Sequence, residues 1–475
     1  MTQAIAPETS PETPSVPSDE PGGNRELMRL ALPLIFSSSF LTLQFTIDRI
    51  FLSKASTEAV QAVIPAVMVF WTMFILLQTT ANFATTFVAQ YIGAGRPERV
   101  GPIVRQSMLF SFFAGIGFLI ILYSSAGTIA TWMGHDEPIR EMEATFLRCM
   151  AFYGIPGTMV AAVNSFFAGR GKTWTVLMVD AFGALTTVFL DYVLIFGKFG
   201  APVMGIAGAG IATVIGACAA VSLALFLMFR EKDAPQFCLL KRPFFEWTLF
   251  KRLMRYGLPS GLQWALDGAA FTVFIVLLGW FGNAAFGASS ITFTINGMLF
   301  IPMLGLGQAV SILVGQRLGG ERADLAARST WTGAKLATIY MIVTAAIYLL
   351  LPMTLAELFR SDENQEKFEA AAAMIPTLLW FVAFYSLFDA AYIIFSFALR
   401  GAGDTAFVSK VSLFCAWPIM VLPTYLAWSN GWSVYYAWGF ASAYVLFVAM
   451  VLMGRFMVGK WKSMRVIEQV AVPVD

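Results

Sequence analysis

Charge is what this chain has least of: Lys, Arg, Asp and Glu make up 13% of its 475 residues, about half the share a soluble chain uses to wet its surface. The signs nearly balance, at a formal net charge of +2, so nothing points to a nucleic-acid partner. Histidine occurs once, at His135, which excludes a multi-histidine metal centre. Cys149, Cys218, Cys238 and Cys415 lie in or beside apolar segments, with neither metal-ligand spacing nor a disulfide framework. They read as small buried hydrophobes. The glycine-rich turn Gly401-Ala-Gly-Asp404 comes without the strand and lysine of a phosphate-binding loop, so no nucleotide-driven step is expected. No paired aspartates stand beside a loop to hold a catalytic metal. No catalytic residue and no cofactor is assigned, and the chain does not read as an enzyme.

What is present is apolar: 58% of the residues are hydrophobic, among them 44 Phe, 23 Met and 13 Trp. Apolar runs of about 20 residues span a bilayer as helices, and the sequence offers twelve of them, near 29–53, 61–90, 107–133, 144–168, 174–197, 206–229, 253–280, 286–316, 331–356, 371–399, 407–428 and 434–458. The expected fold class is an all-α polytopic membrane protein. Residues 1–24, rich in Pro, Ser, Thr and Glu, read as a disordered solvated tail; they lack the basic start and apolar stretch of a signal peptide. Of the 31 Lys and Arg residues, 24 fall in the terminal flanks and the loops after even-numbered spans. The positive-inside rule then places both termini in the cytoplasm, as in a bacterial-type inner membrane. The long connection 230–252, with Arg230, Lys232, Lys241, Arg242, Lys251 and Arg252, reads as a basic, lipid-facing linker, and 459–475 as a cytoplasmic tail.

The two halves repeat. Leu27-Met28-Arg29 with Leu32-Pro33 returns 226 residues later as Leu253-Met254-Arg255 with Leu258-Pro259. At that offset Gln90 and Gly93 meet Gln316 and Gly319, and Asp136-Glu137 meets Asp362-Glu363. At offset 232 Gly171 and Thr173 meet Gly403 and Thr405. A six-span unit inserts each copy the same way up, so these are parallel repeats, an organisation typical of transporters with a central cavity between halves. Residues 27–229 and 253–458 are the expected lobes.

Five carboxyl groups stand inside spans: Asp48, Asp180, Asp191, Asp267 and Asp389. Each costs roughly 2.5–3.5 kcal/mol on insertion scales and so ordinarily faces a cavity with a role. Four have a polar residue one turn earlier on the same face: Gln44 for Asp48, Thr187 for Asp191, Gln263 for Asp267 and Tyr385 for Asp389. Such groups hold a hard cation such as sodium through oxygen ligands, or carry a proton. Asp180, close to Arg170 and Lys172, reads as structural or interfacial. Arg49, about 100° round the helix from Asp48, is expected to point outward.

These segments resemble the multidrug and toxic compound extrusion (MATE) family from about residue 27 to 458. The resemblance rests on Thr46-Ile-Asp-Arg-Ile-Phe-Leu-Ser53, Val88-Ala-Gln-Tyr-Ile-Gly-Ala-Gly95, Leu190-Asp-Tyr-Val-Leu-Ile-Phe-Gly197, Gly205-Ile-Ala-Gly-Ala-Gly-Ile-Ala-Thr213, and Leu399-Arg-Gly-Ala-Gly-Asp-Thr405 with Asp389 before it. It implies two six-helix lobes in a monomer that exports amphipathic, cationic organic compounds in exchange for sodium ions or protons. It makes Asp48 and Asp191, with Gln44 and Thr187, the cation or proton site of the N-lobe. Asp267 and Asp389, with Tyr385 and Gln263, become the C-lobe cation and substrate site, and Asn164 a polar cavity position. Thr187 stands where the family often has Asn, and Asp267 where many members have Glu; both keep an oxygen ligand. The alternatives are a lipid-linked saccharide flippase of the same superfamily, which would want basic residues in the cavity, and a narrow metabolite exporter.

Overall fold

The computed structural model describes residues 21–241, 243–360 and 365–468, with the backbone alone for 365–367. Arg242, Asp362 and Glu363, and residues 1–20 and 469–475 of the two expected tails, lie outside the described residues. The first half comprises α1 (Asn24–Ala55), α2 (Thr57–Asn82) running into α3 (Ala84–Gly93), α4 (Val100–Met133), α5 (Ile139–Ala151), α6 (Gly154–Ala168), α7 (Thr173–Phe196) and α8 (Gly205–Arg230). The second comprises α9 (Trp247–Trp280), α10 (Asn283–Gly319), α11 (Ala323–Leu350), the short α12 (Pro352–Glu357) and α13 (Gln365–Ala372), α14 (Ile375–Ala402), α15 (Thr405–Ala416), α16 (Leu422–Ser429) and α17 (Val434–Val458). Among the described residues, eleven helical stretches are long and apolar enough to cross a bilayer, and the α5–α6 pair, bent by 44°, makes a twelfth when counted as one span.

Breaks in these helices have local causes. Pro156, at the third position of α6, has no N–H for the carbonyl of Phe152, and the helix bends there. Pro418 falls in the π turn Trp417–Val421 that joins α15 to α16, where a widened turn absorbs the missing donor. Ser56 caps α2, its hydroxyl accepting from the Ala59 amide at 3.2 Å. The expected linker is shorter than 230–252. Trp247–Arg252 belong to α9, because Leu249 and Leu253 bury one face of that turn. Its remainder is docked: Arg105 of α4 donates to the carbonyls of Leu239, Pro243 and Phe244, and Phe237 is buried. Residues 459–468 pack on the bundle, with Trp461 fully buried against Phe456.

Both described ends lie on one face of the bundle, called here the terminal face. Core packing differs between that face and the opposite one. Near the terminal face a single apolar core joins the halves, with Leu27, Phe87, Val104 and Phe167 beside Leu253, Val310, Leu313 and Leu399. Towards the opposite face there are two separate cores, one around Phe70, Phe74 and Phe118, the other around Phe274, Tyr348 and Trp438. The halves are therefore clamped at the terminal face, and towards the other face each packs a core of its own.

The clamp has the symmetry of the repeat. A methyl group on Gly93 would stand 1.8 Å from the Gln316 carbonyl oxygen, and one on Gly319 would stand 2.0 Å from that of Gln90. Only glycine lets the two backbones meet this closely. The Gln90 amide donates to the Gly401 carbonyl at 3.0 Å, and the Gln316 amide to the Gly169 carbonyl at 2.9 Å. Each half thus grips the other with the same glutamine and glycine, a self-complementary contact about a pseudo-twofold axis. Further along the seam, Gly257 and Gly261 of α9 pack on Thr80 and Leu76 of α2, and Gly305 of α10 packs on Ile35 of α1.

The chain's last described residues close this face. The Glu468 carboxylate accepts from Tyr91 Oη at 2.8 Å, Arg96 at 3.2 Å, Arg99 at 3.1 Å and Arg252 at 2.7 Å. The Val466 amide donates to Gln90 Oε1 at 2.9 Å, and Glu26 pairs with Arg317 across the seam. Burial works against a charged Glu468, but its own backbone amide, Tyr91, Arg99 and Arg96 together hold its carboxyl below the usual glutamate range. A depressed value leaves the latch at full strength above the ordinary Glu pKa of about 4.3 and weakens it only as pH falls below that. Glu468→Ala should lengthen spin-label distances between α4 and α9 at the terminal face. In the wild type those distances should stay constant from about pH 8 to about pH 5 and lengthen only under stronger acid.

Candidate ion and substrate site

In the first half, α1 and α7 run side by side from the terminal face and bring Asp48 and Asp191 together. Their carboxyl groups lie within hydrogen-bonding reach of each other. Asp191 is wholly buried, and neither of its oxygens, nor Asp48 Oδ1, has a partner among the described residues. Two carboxylates in contact without a donor repel, so the pair calls for a proton or a cation between them. A cavity of about 30 Å³ beside Asp48 is lined by Arg49, Phe45, Trp71, Met150 and Thr213, with space for a water or an ion. Arg49 shares that cavity and is also exposed.

The one-turn neighbours do less than their spacing suggests. Gln44 and Thr187 are buried beside the pair, but the Thr187 hydroxyl donates back to the Gly183 carbonyl at 3.1 Å. This is the common choice of a threonine inside a helix. Gln263 alone bonds its acid, donating to Asp267 Oδ2 at 3.3 Å and also to Ser412 Oγ at 3.0 Å. Asn164 lies away from Asp48 and Asp191: it donates to Asp180 Oδ1 at 2.9 Å, while Ser37 donates to Oδ2.

In the second half the two acids, on α9 and α14, occupy polar clusters that share Tyr392. Asp267 takes a long 3.5 Å bond from Tyr392 besides that from Gln263, and its Oδ1 has no partner. Arg400, counted by position among the basic residues of the loops, is instead buried. Its guanidinium lies over Trp264 and Phe397 and interacts with Asp267 and Tyr392. Asp389 is nearly buried, among the hydroxyls of Tyr385, Tyr348 and Tyr392. A relay backs it: Tyr348 Oη donates to Asn296 Oδ1 and Asn296 Nδ2 donates to Tyr385 Oη, each at 3.3 Å. Asn296, Tyr348, Tyr392, Arg400 and Ser412 were not singled out from sequence. The polar positions inside apolar spans were the available signal, since a buried amide or hydroxyl needs a partner.

Known proteins share this architecture. The MatE family profile matches residues 33–193 and 259–426, more than half of the chain. A probable multidrug resistance protein NorM of Shewanella oneidensis is 26% identical over 399 residues, covering 83% of this chain and 85% of that one. Among solved structures, a MOP superfamily transporter from Pyrococcus furiosus, whose binding pocket is described as of reverse polarity, superposes with a TM-score of 0.85 at 18% identity, over 93% of this chain and 97% of that one. A multidrug resistance MATE family transporter in an outward-facing conformation gives 0.84 at 19% identity, over the same shares. At such identities the structures speak for the fold alone. The family match is carried by the sequence itself: this chain belongs to the MatE family, the multidrug and toxic compound extrusion efflux transporters.

Proposed function

We propose that this chain is a secondary active antiporter of a bacterial-type inner membrane, exporting amphipathic organic cations in exchange for sodium ions or protons. The observation that carries the reading is the Asp48–Asp191 pair, with three carboxylate oxygens and no donor to answer them. A cation or proton satisfies the pair, and its release leaves like charges in contact, so occupancy alters the packing of α1 on α7. Asp389 and Asp267, with Tyr385 and Gln263, form the C-lobe site at which cationic substrate and coupling ion compete. On this reading the basic terminal face is cytoplasmic, the cleft opens outward, and residues 27–229 rock against 253–458, as a monomer, to alternate access. Sodium has the oxygen ligands it needs at either pair. The flippase alternative wants a basic cavity, and Arg400 does not supply one, being packed between Trp264 and Phe397 beside Asp267.

The test is ethidium efflux from proteoliposomes under imposed sodium or proton gradients, wild type against Asp389→Asn. Efflux driven by one gradient and lost in the variant is expected. A folded, correctly inserted wild type that moves no ethidium under either gradient would redirect the assignment to a narrow metabolite exporter or the flippase.

A further inference from the structure

The seam between α1 and α7 holds a carboxyl group that this reading leaves unused. Asp180 lies eleven residues before Asp191 on α7, and Ser37 lies eleven before Asp48 on α1. Seven residues after Ser37 and Asp180 come Gln44 and Thr187. Steps of seven and eleven return a side chain to the same helical face. Ser37 meets Asp180 and Asp48 meets Asp191, so the two helices run in the same direction and their polar residues meet in three levels. The outermost joins Asp48 to Asp191, and the innermost joins Ser37 to Asp180 by a hydrogen bond. Gln44 and Thr187, both buried, occupy the level between.

The innermost level is unsatisfied in a telling way. Asp180 receives only neutral donors, the Ser37 hydroxyl and the Asn164 amide. Asn164 is 8% exposed, and its own Oδ1 has no partner. The same amide that touches Asp180 therefore presents an unused acceptor beside a carboxylate and a hydroxyl, a set of oxygens that suits a small cation or a hydronium.

We propose that Ser37, Asn164 and Asp180 form a second station for the coupling cation, proton or sodium, between the Asp48–Asp191 pair and the cytoplasm. The proposal rests on the reading of that pair as the coupling site. The two stations lie roughly 16 Å apart along the helix axis, so the cation moves between them past Gln44 and Thr187. If it is a proton, the proton leaving Asp191 is taken up by an Asp180 oxygen and given to water at the cytoplasmic face, with no net change in either group over a cycle. If it is sodium, the ion itself is passed from one set of oxygens to the next.

The test uses the full chain in proteoliposomes, with ethidium as probe and sodium and proton gradients imposed separately. Asp180→Asn should slow gradient-driven efflux by roughly 100-fold, the lower end of what a positioned proton carrier contributes. Equilibrium ethidium binding in detergent, and its displacement by added sodium or acid, should stay at wild-type levels, because the site of Asp267 and Asp389 is intact. Asp180→Glu, which restores the carboxyl, should recover much of the rate, and the gradient under which the loss appears identifies the ion. Wild-type efflux by Asp180→Asn would overturn the proposal. So would equal inactivity of the Asn and Glu variants, which would mark Asp180 as a structural tie between α1, α6 and α7. Failure of the underlying reading shows separately, as gradient-coupled efflux that survives Asp191→Asn.

Discussion

Gly93→Ala and Gly319→Ala should each lower ethidium efflux by ~10- to ~100-fold, since overpacking a well-filled contact costs about 1–3 kcal/mol and each 1.4 kcal/mol is a tenfold shift. The methyl group meets the opposing carbonyl oxygen at 1.8 Å from Gly93 and 2.0 Å from Gly319. Backbone cannot swing aside as a flexible side chain can, so the halves must separate at the terminal face. That favours the state open on this face and disfavours the one described here, while the cores inside each half are untouched. Spin-label distances across the terminal face should lengthen in both variants, and thermal unfolding should change little. Gly439→Ala is the control: it lies in α17 with open space where its Cβ would be, and it should transport as wild type does. Normal distances and normal efflux in Gly93→Ala would show that the glycine contact does not govern the equilibrium between the two states.

Asp191→Asn should yield a protein that withstands heating better than the wild type and no longer couples transport to an ion gradient. The wild type buries a carboxyl without a donor against another carboxyl. An uncompensated buried charge costs several kcal/mol, and replacing it by a neutral group of equal size removes that strain. A gain of about 1–2 kcal/mol, read as a higher midpoint of thermal unfolding, is the expected size. The same substitution supplies an amide that donates to Asp48, so the pair no longer needs an ion and the signal that drives the cycle is lost. Asp48→Asn should behave alike, and the double variant should add little to either, because the two groups act as one unit. A destabilised Asp191→Asn that still couples would mean that the pair is structural.

The spans were legible because apolar length and charge avoidance are local properties, and α1, α7 and α10 fall where the apolar runs place them. The internal repeat was legible too, but its physical meaning was not. Gln90 and Gly93 could be matched to Gln316 and Gly319 by offset, yet nothing in the order of residues says that each pair grips the other across a pseudo-twofold axis. The acids stood out as isolated charges. Which of them would touch was hidden, since Asp48 and Asp191 meet only through the packing of α1 on α7. Spacing also misled where a backbone carbonyl offered a nearer acceptor, as it does for Thr187. Arg400 was missed for a related reason: two residues from the end of α14 it looks like a loop charge, and only the rings of Trp264 and Phe397 show that it turns inward.

The Glu468 latch also sets an order of assembly. Residues 461–468 leave the ribosome after the spans of both halves, so both halves enter the bilayer and pack their own cores before the last of the groups that tie them together exists. The glutamine–glycine clamp can therefore close first, and the Glu468 latch is added to the terminal face only when translation is nearly done. A chain cut short before Trp461 would own every acid of both halves and have no bolt to draw.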